Sequence, residues 1–212
     1  MRLILVRHGE TALNRDGLIQ GVNDHPLTGA GRDQAGAAAK ALARDLPFAL
    51  YASPIARAME TARIIGYSLG VPLKVVDELA EADAGELEGL SGDEMRKRYP
   101  DFVERWNLDP GNTPMPGGES LAQVQERAWT AVEGLRAEHT QDTIVAVTHN
   151  FTIQTIISSA LGIPLDRCRR LKQDVGNLTR LELAAHGNFL VSLNETWHLS
   201  PARSPDARGA DG

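Results

Sequence analysis

Leu3-Ile4-Leu5-Val6-Arg7-His8-Gly9-Glu10-Thr11 is the stretch on which the fold turns. Four apolar residues in a row read as a buried strand, the kind found inside a parallel sheet. The run stops abruptly in Arg-His-Gly, so a cation and an imidazole stand where a strand gives way to a loop. In open α/β folds that edge of the sheet is where ligands bind. Arg offers a planar fork suited to phosphate, His can act as a nucleophile, and Gly lets a ligand approach the backbone.

Far along the chain the theme returns. Thr143-Ile144-Val145-Ala146-Val147-Thr148-His149-Asn150 is a second buried strand that delivers a His at its end, with a helix beyond. Phe48–Tyr51 and Leu73–Val76 are further strand candidates. Helical segments lie between the strands, which predicts a parallel sheet covered on both faces. Thr28 to Asp45 is Ala-rich and reads as a helix ended by Pro47. Ser53-Pro54 reads as a helix start, Ser as N-cap and Pro as first helical residue. Ile55, Met59, Ala62 and Ile65 mark the inner face of that helix. Arg57 falls in its first turn, where its charge adds to the positive end of the helix dipole. Taken alone, Arg57 reads more readily as a surface partner of Glu60 or Asp33. Ser120-x-x-Gln123 forms a capping box, and Leu121, Val124, Ala128, Ala131 and Leu135 follow at helical spacing. Leu178–Leu183 and Phe189–Leu193 flank Ala185-His186-Gly187-Asn188 and predict a hairpin. The expected fold is α/β, a three-layer α/β/α sandwich whose mostly parallel sheet carries an antiparallel edge strand.

Length and composition set the bounds. At 212 residues with 42% apolar content, the chain suits one domain with a sizeable core. The expectation is a single domain over 1–200, with an insertion over 85–120 and a loosely ordered tail over 201–212. The insertion is rich in Pro and Gly from Asp109 to Gly118 and reads as a lid or wall over a site, or as a passive connection. Formal charge is -6 and no block of Lys or Arg resembles a nucleic-acid patch, so no nucleic-acid surface is expected. The lone cysteine, Cys168, permits no intrachain disulfide, which suits a reducing compartment. No apolar run reaches the ~20 residues that span a bilayer. With a strand and no apolar leader at the start, the expected location is cytoplasmic and no membrane partner is expected.

A final signal is the acidic stretch Glu78 to Gly89, which follows the third strand and can fold over the same edge. One of its carboxylates could serve as acid and base, although an acidic loop by itself is usually only solvated. Taken together, these residues resemble the histidine phosphatase superfamily, the phosphoglycerate mutase-like fold. Arg7-His8-Gly9 matches its signature. Asn14 and Gln20-Gly21 fit its phosphate loop, and Asn23 to Thr28 fits the continuation into the first long helix. Ser53-Pro54-x-x-Arg57-Ala58-x-Glu60-Thr61 fits the second block, Glu81 the acid/base position, and Thr148-His149 the last block. Asn150 departs from the Gly or Ser usual after the second His.

The resemblance implies that His8 attacks phosphorus and becomes a phosphohistidine, with a backbone carbonyl accepting its other N–H. Arg7, Asn14, Arg57 and His149 would hold the phosphoryl oxygens. Glu81 would protonate the leaving group, with Asp83 as its local competitor. Gln20, Gly21 and Asn150 would meet the substrate, a small phosphomonoester. No metal and no cofactor is implied, and the resemblance leaves room for a homodimer. The reading favours a hydrolase. A cofactor-dependent phosphoglycerate mutase would use the same nucleophile but resembles a longer pattern with a basic clamp, for which Arg96-Lys97-Arg98 is the one candidate here. A non-catalytic phosphate-binding module would not need His8, His149, both arginines and Glu81 together.

Overall fold

The computed structural model describes residues 1–199; the tail expected over 201–212 lies outside the described residues. Six strands form one sheet in the order β3-β2-β4-β1-β5-β6. They are β1 (Arg2–Arg7), β2 (Ala49–Ala52), β3 (Leu73–Val75), β4 (Thr143–Thr148), β5 (Leu178–Ala184) and β6 (Gly187–Glu195). β1, β2, β3 and β4 run parallel. β5 is antiparallel to β1 and to β6, so the predicted hairpin forms one side of the sheet.

The seven α-helices among the described residues are α1 (Ala12–Asp16), α2 (Gly29–Leu42), α3 (Ala56–Leu69), α4 (Gly92–Arg98), α5 (Pro100–Leu108), α6 (Leu121–Glu138) and α7 (Asn150–Leu161). The layers follow from the alternation within the central strands. Leu3, Leu5, Ile144 and Ala146 point into a core with α6 and α7, through Ala128, Val132, Ile153 and Ile156. Ile4, Val6, Val145 and Val147 point the other way, onto Ala38 and Leu42 of α2 and Ala58, Ala62 and Ile65 of α3. Leu3 to Val6 are all buried, so both faces of β1 contribute; burying each such side chain is worth ~1.5–3 kcal/mol. None of the described helices is long and apolar enough to cross a membrane.

Residues of the 85–120 region contribute to a third apolar cluster. Phe102 and Trp106 of α5, Leu87 and Met115 pack with Leu121 and Val124 of α6 and with Cys168. Burial pushes the Cys168 thiol up to about 11, away from the thiolate that reactivity requires.

Two local expectations shift. Helix α3 begins at Ala56 with Ile55 as N-cap, not at Pro54 after a Ser53 cap. The Ser53 hydroxyl accepts from the N–H of Ile55 and faces His149, so it is unavailable for capping. On α6 the inner face takes Val132 where the spacing suggested Ala131, because 3.6 residues per turn drifts past a fixed step. The Ser120–Gln123 capping box is present.

Candidate active site

The register of β1 on β4 decides the site. Arg7 lies opposite Thr148, so both strands end at the same height and the His8 amide donates to the Thr148 carbonyl at 3.0 Å. The two imidazoles stand with centroids 5.1 Å apart. Both are buried.

His8 Nδ1 lies 2.8 Å from the carbonyl oxygen of Gly9. A carbonyl only accepts, so the proton sits on Nδ1 and Nε2 carries a lone pair. That lone pair accepts from Nε of Arg57 at 3.2 Å. Burial first, then the charges of Arg57 and Arg7, hold His8 well below the ordinary imidazole value. His8 is therefore neutral at neutral pH, with its lone pair turned toward Arg57. The turn that achieves this is tight: a Cβ at Gly9 would collide with the backbone carbonyl of Gly31 on α2.

His149 is wired in the opposite sense. Its Nε2 lies 2.7 Å from Oγ of Ser53, while Nδ1 is buried without a partner. Ser53 Oγ already accepts from Ile55 N at 3.2 Å, and its single proton satisfies Nε2. The alternative leaves the serine proton and Nδ1 both unpaired, which is the costlier arrangement. The remaining imidazole proton is thus on Nδ1. Burial, Arg57 and His8 hold His149 well below the ordinary value too.

Arg57 is fully buried in spite of its place near a helix start. Beyond His8, its fork donates to the carbonyls of Gly21 at 2.6 Å and Asn23 at 3.1 Å. Burial lowers it to about 10, against the pull of Glu81 and Glu88. The alternative surface pairing does not occur, since Glu60 is taken by Arg32. Arg7 donates through Nη1 to the Gln173 carbonyl at 2.6 Å, and its Nε is buried and unpaired. Burial lowers it as well.

Glu81 is buried at the N-terminus of α7. Its carboxylate accepts from the amides of Phe151 and Thr152 at 3.3 Å each and from Ala82 at 2.9 Å. It thereby caps a helix that has no side-chain cap from His149. Asp83 is turned away, its Oδ1 accepting from Gly85 N at 2.9 Å. Asn14 Oδ1 closes a capping box with Thr11, leaving its NH₂ group as the available donor. Gln20 Oε1 accepts from Thr11, and its Nε2 is buried and unpaired. Gly21 contributes its carbonyl to Arg57, with the Ala84 backbone against it. Asn150 is the first residue of α7, half-buried beside His149.

The structure thus brings His8, His149, Arg7 and Arg57 together and adds Thr61, which the second block contains without a role, and Gln34, which no motif contains. Thr61 accepts from the Gly9 amide at 3.1 Å, and Gln34 accepts from the Glu10 amide at 2.8 Å. Ser53 stood inside a quoted motif, but as a helix cap. Arg127 and Glu119 gave no signal, because their partners are backbone atoms of a loop 36 to 49 residues upstream.

Comparison with known proteins agrees with this geometry. The model of the histidine phosphatase superfamily (branch 1) matches residues 3–196. Phosphoserine phosphatase 1 of Hydrogenobacter thermophilus is 31% identical over 199 residues, covering 94% of each chain. Glucosyl-3-phosphoglycerate phosphatase of Mycolicibacterium vanbaalenii is 32% identical over 192 residues, 87% of this chain and 84% of its own. Among solved structures, Bacillus stearothermophilus YhfR superposes with a TM-score of 0.87 at 30% identity, covering 94% of this chain and 99% of that one. A mutant phosphoserine phosphatase of Entamoeba histolytica, in complex with phosphoserine, gives 0.85 at 27% identity over 94% and 99% of the two chains. With buried imidazoles at the ends of two neighbouring strands and a family match over nearly its whole length, the chain belongs to the histidine phosphatase superfamily and is a phosphatase of that kind.

Proposed function

We propose that this phosphatase hydrolyses a small phosphorylated metabolite through a phosphohistidine on His8. The wiring of His8 carries the reading: Nδ1–H is spent on the Gly9 carbonyl, and the Nε2 lone pair faces Arg57 in a buried, cationic pocket. Nε2 bonds to phosphorus as the ester P–O bond breaks. The forks of Arg7 and Arg57, the Nδ1–H of His149 and the amide of Asn14 bind the phosphoryl oxygens, with Gln20 Nε2 as a further donor. Positioned charge is the main contribution a protein makes to phosphoryl transfer. Protonated Glu81 then gives its proton to the departing alkoxide. In the second step Glu81 takes a proton from water, whose oxygen attacks phosphorus. The P–N bond breaks, and inorganic phosphate and neutral His8 remain.

Hydrolysis is preferred to the mutase reading on one observation. Arg96, Lys97 and Arg98 are exposed on α4, and Arg96 pairs with Asp93, so this run is a solvated helix face and not a clamp.

The test is rapid-quench labelling. An acid-labile, base-stable label on His8, with phosphate released in the absence of 2,3-bisphosphoglycerate, is the expected result. A label on a carboxylate or hydroxyl overturns the mechanism. Glu81→Gln should slow an alkyl phosphate ~10²–10⁴-fold more than a nitrophenyl phosphate, whose leaving group needs no proton. Equal losses would remove Glu81 from the donor role.

A further inference from the structure

Arg127 lies on α6 and takes no part in the steps above, yet each of its five N–H donors is used on one target. Nη1 donates to the carbonyls of Glu78 at 2.7 Å and Ala80 at 2.8 Å, and Nη2 to that of Glu81 at 2.9 Å. Nε and Nη2 grip the Glu119 carboxylate at 3.0 and 2.9 Å. Glu119 completes the frame. Its Oε2 accepts from the Asp83 amide at 3.0 Å, and its own amide donates to the Asp83 carbonyl at 2.9 Å. Although burial works against ionisation, the bonds from Arg127 and the Asp83 amide hold Glu119 below the usual carboxylate range. From the end of β4 and the first turn of α7, the Thr148 and Thr152 hydroxyls donate to the Leu79 and Ala80 carbonyls at 2.6 and 2.7 Å. Beyond Glu81, a Cβ on Gly118 would strike the Asp83 carbonyl, so the insertion presses directly on the loop.

A short acidic loop would not hold this shape by itself. Its carbonyls converge on one guanidinium, and the planar five-donor fork of arginine suits that task where a lysine ammonium does not. We propose that Arg127, seated on Glu119, is the positioning residue that sets the Glu81 carboxyl against the leaving-group oxygen. Through Glu81 it governs how well the enzyme handles poor leaving groups. The proposal rests on Glu81 as proton donor.

The test compares kcat/KM for an alkyl and a nitrophenyl phosphate in Arg127→Met, Arg127→Lys, Glu81→Gln and the Arg127→Met/Glu81→Gln double variant. A misplacement near 1 Å can cost ~10²-fold. Arg127→Met should lose about that much on the alkyl ester and less than about threefold on the nitrophenyl ester. Arg127→Lys should recover part of the loss. In the Glu81→Gln background the Arg127 change should add nothing to the difference between esters. Equal losses on both esters, or an additive loss in the double variant, overturn the proposal. If Arg127→Met does not give a cooperative melt, Glu119→Gln replaces it; the same ester-selective loss is expected, and its absence is equally fatal. If Glu81→Gln itself slows both esters alike, the donor assignment fails on its own. Amide exchange at Ala82 and Asp83 then decides the role of Arg127: faster exchange in the variant sustains the positioning, and unchanged protection refutes it.

Discussion

Val6-Arg7-His8-Gly9 and Val147-Thr148-His149-Asn150 end neighbouring parallel strands in closely similar local sequence, yet the fold gives their imidazoles opposite tasks. His8 spends its proton on a backbone carbonyl of its own loop and presents a lone pair. His149 has its lone pair covered by a serine from the end of β2 and presents a proton. In the proposed mechanism one ring is the nucleophile and the other a hydrogen-bond donor. The difference comes from which neighbour satisfies the nitrogen facing away from the substrate, a choice made by Gly9 in one case and Ser53 in the other. A shared residue type at a shared place in the fold does not fix a shared role.

The comparison can be broken most severely at His8. His8→Ala removes the lone pair aimed at phosphorus and should lower kcat at least ~10⁴-fold, with no trapped phosphoenzyme and a cooperative melt retained. Phosphoenzyme forming in that variant would transfer the nucleophile role elsewhere.

Arg57→Ala comes next and should damage both function and fold. The phosphate loses a charged fork, at ~10²–10³-fold in kcat/KM. The Gly21 and Asn23 carbonyls lose their partner, at about 1–3 kcal/mol of stability for the buried groups left unpaired. Kinetic loss with an unchanged melting temperature would show that the 21–23 loop holds itself.

The pH dependence of stability tests both imidazoles at once. Each is held well below the value of about 6.5 that it has in the unfolded chain. Above that value both states are neutral and stability is flat in this respect. As pH falls below it, the unfolded chain binds protons that the folded chain refuses, so stability falls toward the depressed folded values. The slope is ~1.4 kcal/mol per pH unit for each ring, or about 2.7 for the pair. Urea melts between pH 7.5 and 5.5 measure it; replacing either ring should halve this contribution, and an unaltered slope in both single variants would contradict the assignment.

The smallest effect sharpens the comparison most. Ser53→Ala frees Nε2 of His149 and lets the tautomers compete, at about tenfold in kcat/KM, or ~1.4 kcal/mol. Nitrogen shifts in the NMR spectrum should show Nδ1–H on His149 in the parent and a mixture in the variant, with His8 unchanged. A parent carrying its proton on Nε2 would reverse the assignment of His149.

Much of this was legible because it is local. A buried apolar run followed by Arg-His-Gly announces a strand and its loaded end, and the capping box at Ser120 needs only four residues. Ser53 was legible as a position but not as a role, since helix-cap chemistry and imidazole-facing chemistry use the same hydroxyl. The hold of Arg127 on the acid loop left no trace: arginine at position 127 reads as an ordinary helix-surface residue, and backbone carbonyls have no sequence signature.

By itself, then, the order of residues determined the layers, the sheet's loaded edge and the identity of the groups gathered there, because period-2 burial and strand-end chemistry are written in consecutive positions. Only the tertiary structure decided which nitrogen of each histidine carries the proton, how Arg57 is shared between His8 and the 21–23 loop, and what holds Glu81. Those outcomes depend on hydrogen bonds between segments 46 to 96 residues apart, where geometry selects one partner among several that the same side chain could accept.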